Sequence, residues 1–454
     1  MTKRPLIAVS FVAALASGVL LAQDIRTFIN KISEKPALAV PEFRGAGDAQ
    51  PLMAVFNSTV NADLQNSGLF DLRSKSYFPP TVPQQQTDIR PQDGKGLALA
   101  DWAGAPVNAT HLVFGYAAVT NGVFVVYGNV DDTRQQDAQS AQLLSNRYVG
   151  SPTEADAIRK AHEFATDIIV KFGGSAALFD SRIYFTSTRG SAGKFGTEIW
   201  AMDWDGNNQK QITHLGAQLA HTAISPDGSR LAFTMWPLAG GQPQIVMANS
   251  QTGRRIPFYN QQASMNSCVG FTPDGTHIYY ASTPTGTPQI YTAAVDGQGF
   301  SPVTSSRGNP TEPKVNPKNP GQVLFVDGSP KEQIYRMNSA GSGIERISNG
   351  EGEASNPAWS PDGQHVAFAW TRGYMSGEFN IFVIDIGKPQ EYEQLTHDGK
   401  NENPVWAPDG AHIVFMRTPL KSGNTQIYTM LANGTQVKQL TTQGINKYPV
   451  WGVK

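Results

Sequence analysis

The 454-residue sequence holds a single cysteine, Cys268, so no intrachain disulfide can form. Charge is scarce as well: charged side chains make up 16%, and 36 basic residues nearly balance 37 acidic ones. With no basic excess or stripe, nucleic acid is not the implied partner. The one long apolar run, Leu6 to Leu21, is 16 residues long, short of the roughly 20 that a membrane-crossing helix needs. Catalytic signatures are missing too. There is no Gly-x-Ser-x-Gly elbow, no His-Glu-x-x-His and no phosphate-binding glycine loop. The eight histidines lack ligand spacing, and His214, His221, His277, His365 and His412 fall at recurring positions where they read as solvated side chains. Asp203-Trp204-Asp205-Gly206-Asn207 has its glycine too early for a calcium loop and reads as a plain turn. Cys268 reads as a small buried apolar residue. No cofactor, metal or enzyme activity is expected.

What the chain does have is turn-forming residues, 44 glycines and 30 prolines, and a repeat. The stretch Pro357 to Trp370, PAWSPDGQHVAFAW, recurs in variant form about every 43 to 48 residues through the C-terminal part. Its turn, Ser360-Pro361-Asp362-Gly363, suits a type I turn closed by a left-handed glycine. Equivalents stand at Ser225 to Gly228, Thr272 to Gly275 and Ala407 to Gly410, with a degenerate copy at Lys318 to Gly321. The aromatic after each turn gives the register marks Phe185, Phe233, Tyr280, Phe325, Phe368 and Phe415. A further strand follows each, as at Ile199-Trp200, Ile290-Tyr291 and Ile427-Tyr428, and then a short one such as Gln394-Leu395-Thr396. Four short strands per unit and six units predict a six-bladed β-propeller over residues 175–454.

The first unit lacks its leading strand, and the chain finishes on an orphan copy of it, Tyr448-Pro449-Val450-Trp451. The C-terminal strand is therefore expected to complete the first blade and close the ring, removing two open sheet edges.

Ahead of the repeats, residues 1–22 combine Lys3 and Arg4, the apolar run and a small residue at Ala22, the pattern of a cleaved signal peptide. Residues 23–174 read as an α/β domain. Leu52, Phe56, Val60 and Leu64 mark one helix face, strands are expected near 37–40, 70–73, 111–116, 123–130 and 142–148, and Ser151-Pro152-Thr153-Glu154 reads as the capping box of a second helix. Pro79 to Pro91 reads as an exposed loop.

Val40-Pro41-Glu42-Phe43, Ala62-Asp63-Leu64 with Asn66-Ser67-Gly68-Leu69-Phe70, Ala161-His162 with Asp167-Ile168-Ile169, and six propeller units in this order resemble the TolB family of the Tol-Pal system. The resemblance covers nearly all of the chain after residue 22. It implies a periplasmic, non-catalytic monomer that binds the lipoprotein Pal and the protein TolA and supports outer-membrane constriction during division.

Strand alternation places the Pro-Asp-Gly and Asp-Gly turns on one face of the disc and the longer, variable loops on the other, where recognition is expected. The connections entering the inner strands bring His221, Asn266, Thr311, Glu312, Asn356, Asn403, Asn446 and Lys447 to that channel mouth, and these are the expected Pal contacts. The resemblance implies TolA contact through Asp24, Ile25, Arg26, Thr27, Phe28 and Ile29, whose alternation also suits an edge strand. Two other classes stay open: a glycan-binding module using exposed aromatics, and a lyase if Glu, His and Arg converge in the channel.

Overall fold

The computed structural model describes residues 35–89, 97–135, 137–191, 196–237, 240–328, 331–421 and 423–454. The expected signal peptide and the segment Asp24 to Ile29 lie outside the described residues.

The N-terminal part is a mixed sheet of β1 (Ala37–Ala39), β2 (Arg44–Ala46), β3 (Asp71–Leu72), β4 (His111–Thr120), β5 (Val123–Asp132) and β6 (Gln142–Gly150). The strand order is β3-β1-β4-β5-β6, with β2 paired alongside β4. β1 runs parallel to β3 and β4, whereas β4, β5 and β6 form an antiparallel meander. Two helices, α1 (Met53–Asn66) and α2 (Glu154–Lys171), cover one face. Their apolar stripes, Phe56, Val60 and Leu64 from α1 and Ala161, Phe164 and Ile168 from α2, bury against Val113, Val126 and Val130, as 3.6-residue periodicity requires.

The start of α2 differs from expectation by two residues. Thr153 is the N-cap, its hydroxyl accepting the Asp156 backbone N–H at 3.2 Å, while the Asp156 carboxylate reaches back to the Ser151 N–H at 2.5 Å. The proline-rich stretch differs as well. Its end tucks Ile89, 5% exposed, onto the other face of the sheet beside Trp102 and Phe114.

Beyond the helices, the described residues form six four-stranded antiparallel sheets. In the second strand of every blade the expected aromatic is buried: Phe185, Phe233, Tyr280, Phe325, Phe368 and Phe415. Five face an aromatic on the third strand, the pairs being Phe185 with Trp200, Tyr280 with Tyr291, Phe325 with Tyr335, Phe368 with Phe382 and Phe415 with Tyr428. Such cross-strand pairs are the unit of sheet stabilisation. A second device recurs at the blade rim. The hydroxyls of Thr213, Thr304, Ser348, Thr396 and Thr441 accept the backbone N–H of Ile199, Ile290, Ile334, Ile381 and Ile427. In the second blade Pro257 stands at that position, and the Asn260 side chain accepts the Ile245 N–H instead, at 2.9 Å.

The ring closes as the sequence implies. Residues Asn446–Val453 add to Ser181–Ser187 as the innermost strand of the first blade, with Trp451 opposite Ile183 and its Nε1–H donating to the Ser181 hydroxyl at 2.7 Å. Gly228, in the Pro-Asp-Gly turn of the second blade, has φ +71°, and a Cβ there would lie 2.3 Å from the Val453 carbonyl. The turn can approach the closing strand only as glycine.

The N-terminal part rests on the turn face. Gly68 packs on Leu431 and His412 reaches the Asn66 carbonyl, both beside tight turns of the sixth blade, and Trp204, in a tight turn of the first blade, joins the same apolar cluster. The described residues of the N-terminal part leave the long-loop face uncovered.

Candidate functional site at the channel mouth

Each innermost strand breaks register once, between Ala220 and Ala223, Ser267 and Gly270, Thr311 and Lys314, Ser355 and Ala358, Glu402 and Val405, and Lys447 and Val450. At each break one residue adopts a left-handed conformation: His221, Cys268, Glu312, Asn356, Asn403 and Tyr448, with φ between +49° and +55°. Asparagine tolerates this region, but for the others it costs roughly 1–2 kcal/mol each. A left-handed residue repeated in all six blades at the same register break is a built feature of the ring. The bulge turns these six side chains toward the axis. Proline follows four of them, where an unpaired bulge position has no ladder bond to lose.

The six residues circle one end of an axial channel of about 500 Å³. Pro226, Pro273, Pro361 and Pro408 of the turns line the other end, as does Pro317, because the degenerate turn starts at Asn316-Pro317, two residues before the expected Lys318. Neighbouring blades are linked at the mouth. The Asn356 backbone N–H donates to Glu312 Oε2 at 2.8 Å and its Nδ2 donates to Oε1 at 3.0 Å, while the Asn403 N–H donates to Asn356 Oδ1 at 3.3 Å. The His221 and Tyr448 rings lie 5.1 Å apart.

Burial lowers the His221 pKa despite the nearby Glu312 carboxylate, so the imidazole is neutral at neutral pH. Burial likewise raises the Tyr448 phenol and pushes the Cys268 thiol up to about 12, with Glu312 adding to the second shift. A protonated thiol is no nucleophile. The mouth thus presents mainly neutral hydrogen-bonding groups on a rigid frame. Among the described residues lining the channel there is no arginine, so the Glu, His and Arg cluster does not assemble there.

Four of the expected mouth residues are brought together: His221, Glu312, Asn356 and Asn403. The others are not. Asn266 is 1% exposed and Asn446 fully buried. Their side-chain amides donate to backbone carbonyls of the entering loops, Asn266 to Gln261 and Ser264, Asn446 to Gln443. Asn401 does the same in the sixth blade, donating to Asp398 and Gly399. Lys447 and Thr311 are ladder residues, paired with Thr186 and Val326. The ring positions in those blades belong to Cys268 and Tyr448, two and one residues further along than Asn266 and Lys447. The signal was in the spacing: from His221 to Asn403, each left-handed residue stands five before the turn proline. The solvated reading of the repeat histidines also fails for His365 and His412, which are 1% and 4% exposed and face Asp362 and Asp409 of their own turns.

Fold and site together define a closed six-bladed propeller with an α/β domain on its turn face and an open ring of strained residues on the other. A family model described as the TolB beta propeller domain matches residues 170–355 and 344–453. The Tol-Pal system protein TolB of Roseobacter denitrificans is 28% identical over 264 residues, 57% of this chain and 56% of that protein. A protein TolB homolog of Chlorobium chlorochromatii is 29% identical over 338 residues, 74% of this chain and 61% of that protein. These matches span less than two thirds of either relative. The crystal structure of TolB from Acinetobacter baumannii superimposes with a TM-score of 0.75 at 20% identity, covering 93% of this chain and 97% of that one. The chain belongs to the TolB beta-propeller family.

Proposed function

We propose that the protein is a non-catalytic, periplasmic scaffold of a Tol-Pal system, exported by a signal peptide at residues 1–22. In this reading it binds a Pal-like peptidoglycan-associated lipoprotein over the channel mouth and a TolA-like protein through residues 24–29, and it supports outer-membrane integrity and constriction during division. The names of the relatives support the system. The observation that carries the docking site is the ring of six left-handed residues on the one disc face that the α/β domain leaves open. Among the described residues no helix is long and apolar enough to cross a membrane.

The test is a pull-down from periplasmic extract with the purified protein and with Asn403→Lys, which puts a long cation into the mouth. Recovery of a Pal-like lipoprotein, identified by mass spectrometry, by the first bait and not by a fully folded second supports the reading. Equal recovery by both would move the contact away from the mouth, and recovery by neither would remove the Pal assignment.

A further inference from the structure

Two residues along the strand from Glu312, roughly 6–7 Å further into the channel, stands Lys314. It is the only lysine or arginine among the described residues that line the channel. The equivalent positions in the other blades are Ala223, Gly270, Ala358, Val405 and Val450, all without charge. Lys314 is half-buried and forms no ion pair with any described carboxylate. Glu312 makes no ion pair with it, and its carboxylate accepts instead from the Asn356 N–H and Nδ2. Asn403 and Tyr448, at the mouth above, also line the channel, and their side chains have no hydrogen-bond partner among the described residues.

An unpaired cation at the floor of an open mouth is hydrated. A partner that seals the mouth removes that water, and a desolvated, unpaired charge opposes association strongly. Glu312 lies nearby but makes no contact ion pair with Lys314, so a carboxylate carried by the partner would satisfy the charge at close range. We propose that the docked lipoprotein inserts an acidic side chain, Asp or Glu, into the channel, with Lys314 as its counter-ion and the Tyr448 hydroxyl and Asn403 amide as hydrogen-bond donors. This rests on the docking reading above and names the chemistry that the mouth selects. A compact ammonium on a flexible stem suits a single inserted carboxylate.

The test is isothermal titration of the purified protein, and of Lys314→Met and Lys314→Glu, with the soluble domain of the Pal-like lipoprotein from the same cells and with its single Asp→Asn and Glu→Gln variants. The expected result is a loss of tenfold or more for Lys314→Met and a larger loss for Lys314→Glu, with melting temperatures unchanged. One lipoprotein variant should lose affinity for the unaltered protein yet bind Lys314→Met as its parent does. Unchanged or tighter binding by Lys314→Met, while Asn403→Lys still abolishes it, would overturn the inference and leave the docking reading standing. No binding by the unaltered protein would overturn both. A titration with glutarate separates the remaining source: saturable, Lys314-dependent binding of the free dicarboxylate that blocks no lipoprotein association would make this a small-anion site and overturn the partner-borne assignment.

Discussion

His412 Nε2 lies 3.0 Å from the carbonyl oxygen of Asn66, at the C-terminal end of α1, while its Nδ1 lies 2.6 Å from the Asp409 carboxylate. Both ring nitrogens face acceptors, so both carry protons and the ring is an imidazolium. Burial alone would lower its pKa, but Asp409 and the Asn66 carbonyl raise it above the ordinary 6.5, while the His412 ring and the Ala411 and His412 backbone N–H groups hold Asp409 below 3.8 despite burial. The contact joins the propeller to the α/β domain with a cation at a helix C-terminus, where it is favoured.

The pH dependence follows from those two directions. The raised histidine contributes stability that is full below about pH 6.5 and is lost as pH rises through its folded value. The depressed aspartate contributes stability present above its unfolded value and lost as pH falls through its folded one. The interface should therefore be tightest between these limits and loosen on the alkaline side. His412→Leu leaves Asp409 buried without its counter-ion and should cost about 3–5 kcal/mol, with Asp409→Asn recovering part of the loss. Urea unfolding of the two single variants and the double variant measures the coupling.

Ring closure rests on residues 446–453. Trp451 is 5% exposed and tied to Ser181. Trp451→Ala should destabilise by about 3–5 kcal/mol. Removing residues 448–454 should open the first blade, increase the radius of gyration seen by small-angle scattering and promote self-association through the freed edges.

Asp131 is fully buried in β5, and burial raises its pKa to about 6 although Gln86 Nε2 donates to it at 2.8 Å. Its other oxygen and Gln86 Oε1 have no partner among the described residues. Because the folded protein holds this proton more tightly than the unfolded chain, stability should fall as pH rises from about 4 to about 6 and then level off. Asp131→Asn permits a reciprocal amide pair with Gln86 and should add about 2 kcal/mol at pH 7.5, and calorimetry across pH should show the flattened profile.

Glu312 links the fourth blade to the fifth. Glu312→Ala strips the acceptor from the Asn356 N–H and Nδ2 and should cost about 1–3 kcal/mol. Glu312→Gln keeps one acceptor oxygen and should cost less. Chemical denaturation of both variants distinguishes loss of the link from loss of charge.

The fold was largely legible because its signals are local and repeated. The Pro-Asp-Gly turns, the aromatic of each second strand and the orphan Pro-Val-Trp at the end recur at fixed spacing, and each marks what the structure shows. The mouth was legible only by half. Its six residues share a backbone conformation and not a side-chain type, so Asn266 and Asn446, chosen because they stand where the connections enter the inner strands, proved to be buried loop anchors, whereas Cys268 and Tyr448 hold the left-handed positions. Lys314 and the His412 contact could not be read at all, since one depends on the axial channel and the other joins residues 346 apart.

Hydrogen–deuterium exchange of the protein with and without the soluble domain of the Pal-like lipoprotein reads out whether the partner docks on the open ring. Docking there gives new protection at the entries to the inner strands, around His221, Cys268, Glu312, Asn356, Asn403 and Tyr448, with the Pro-Asp-Gly turns unchanged. Protection confined to the turn face or to α1 and α2, with the mouth exchanging as in the free protein, would contradict it.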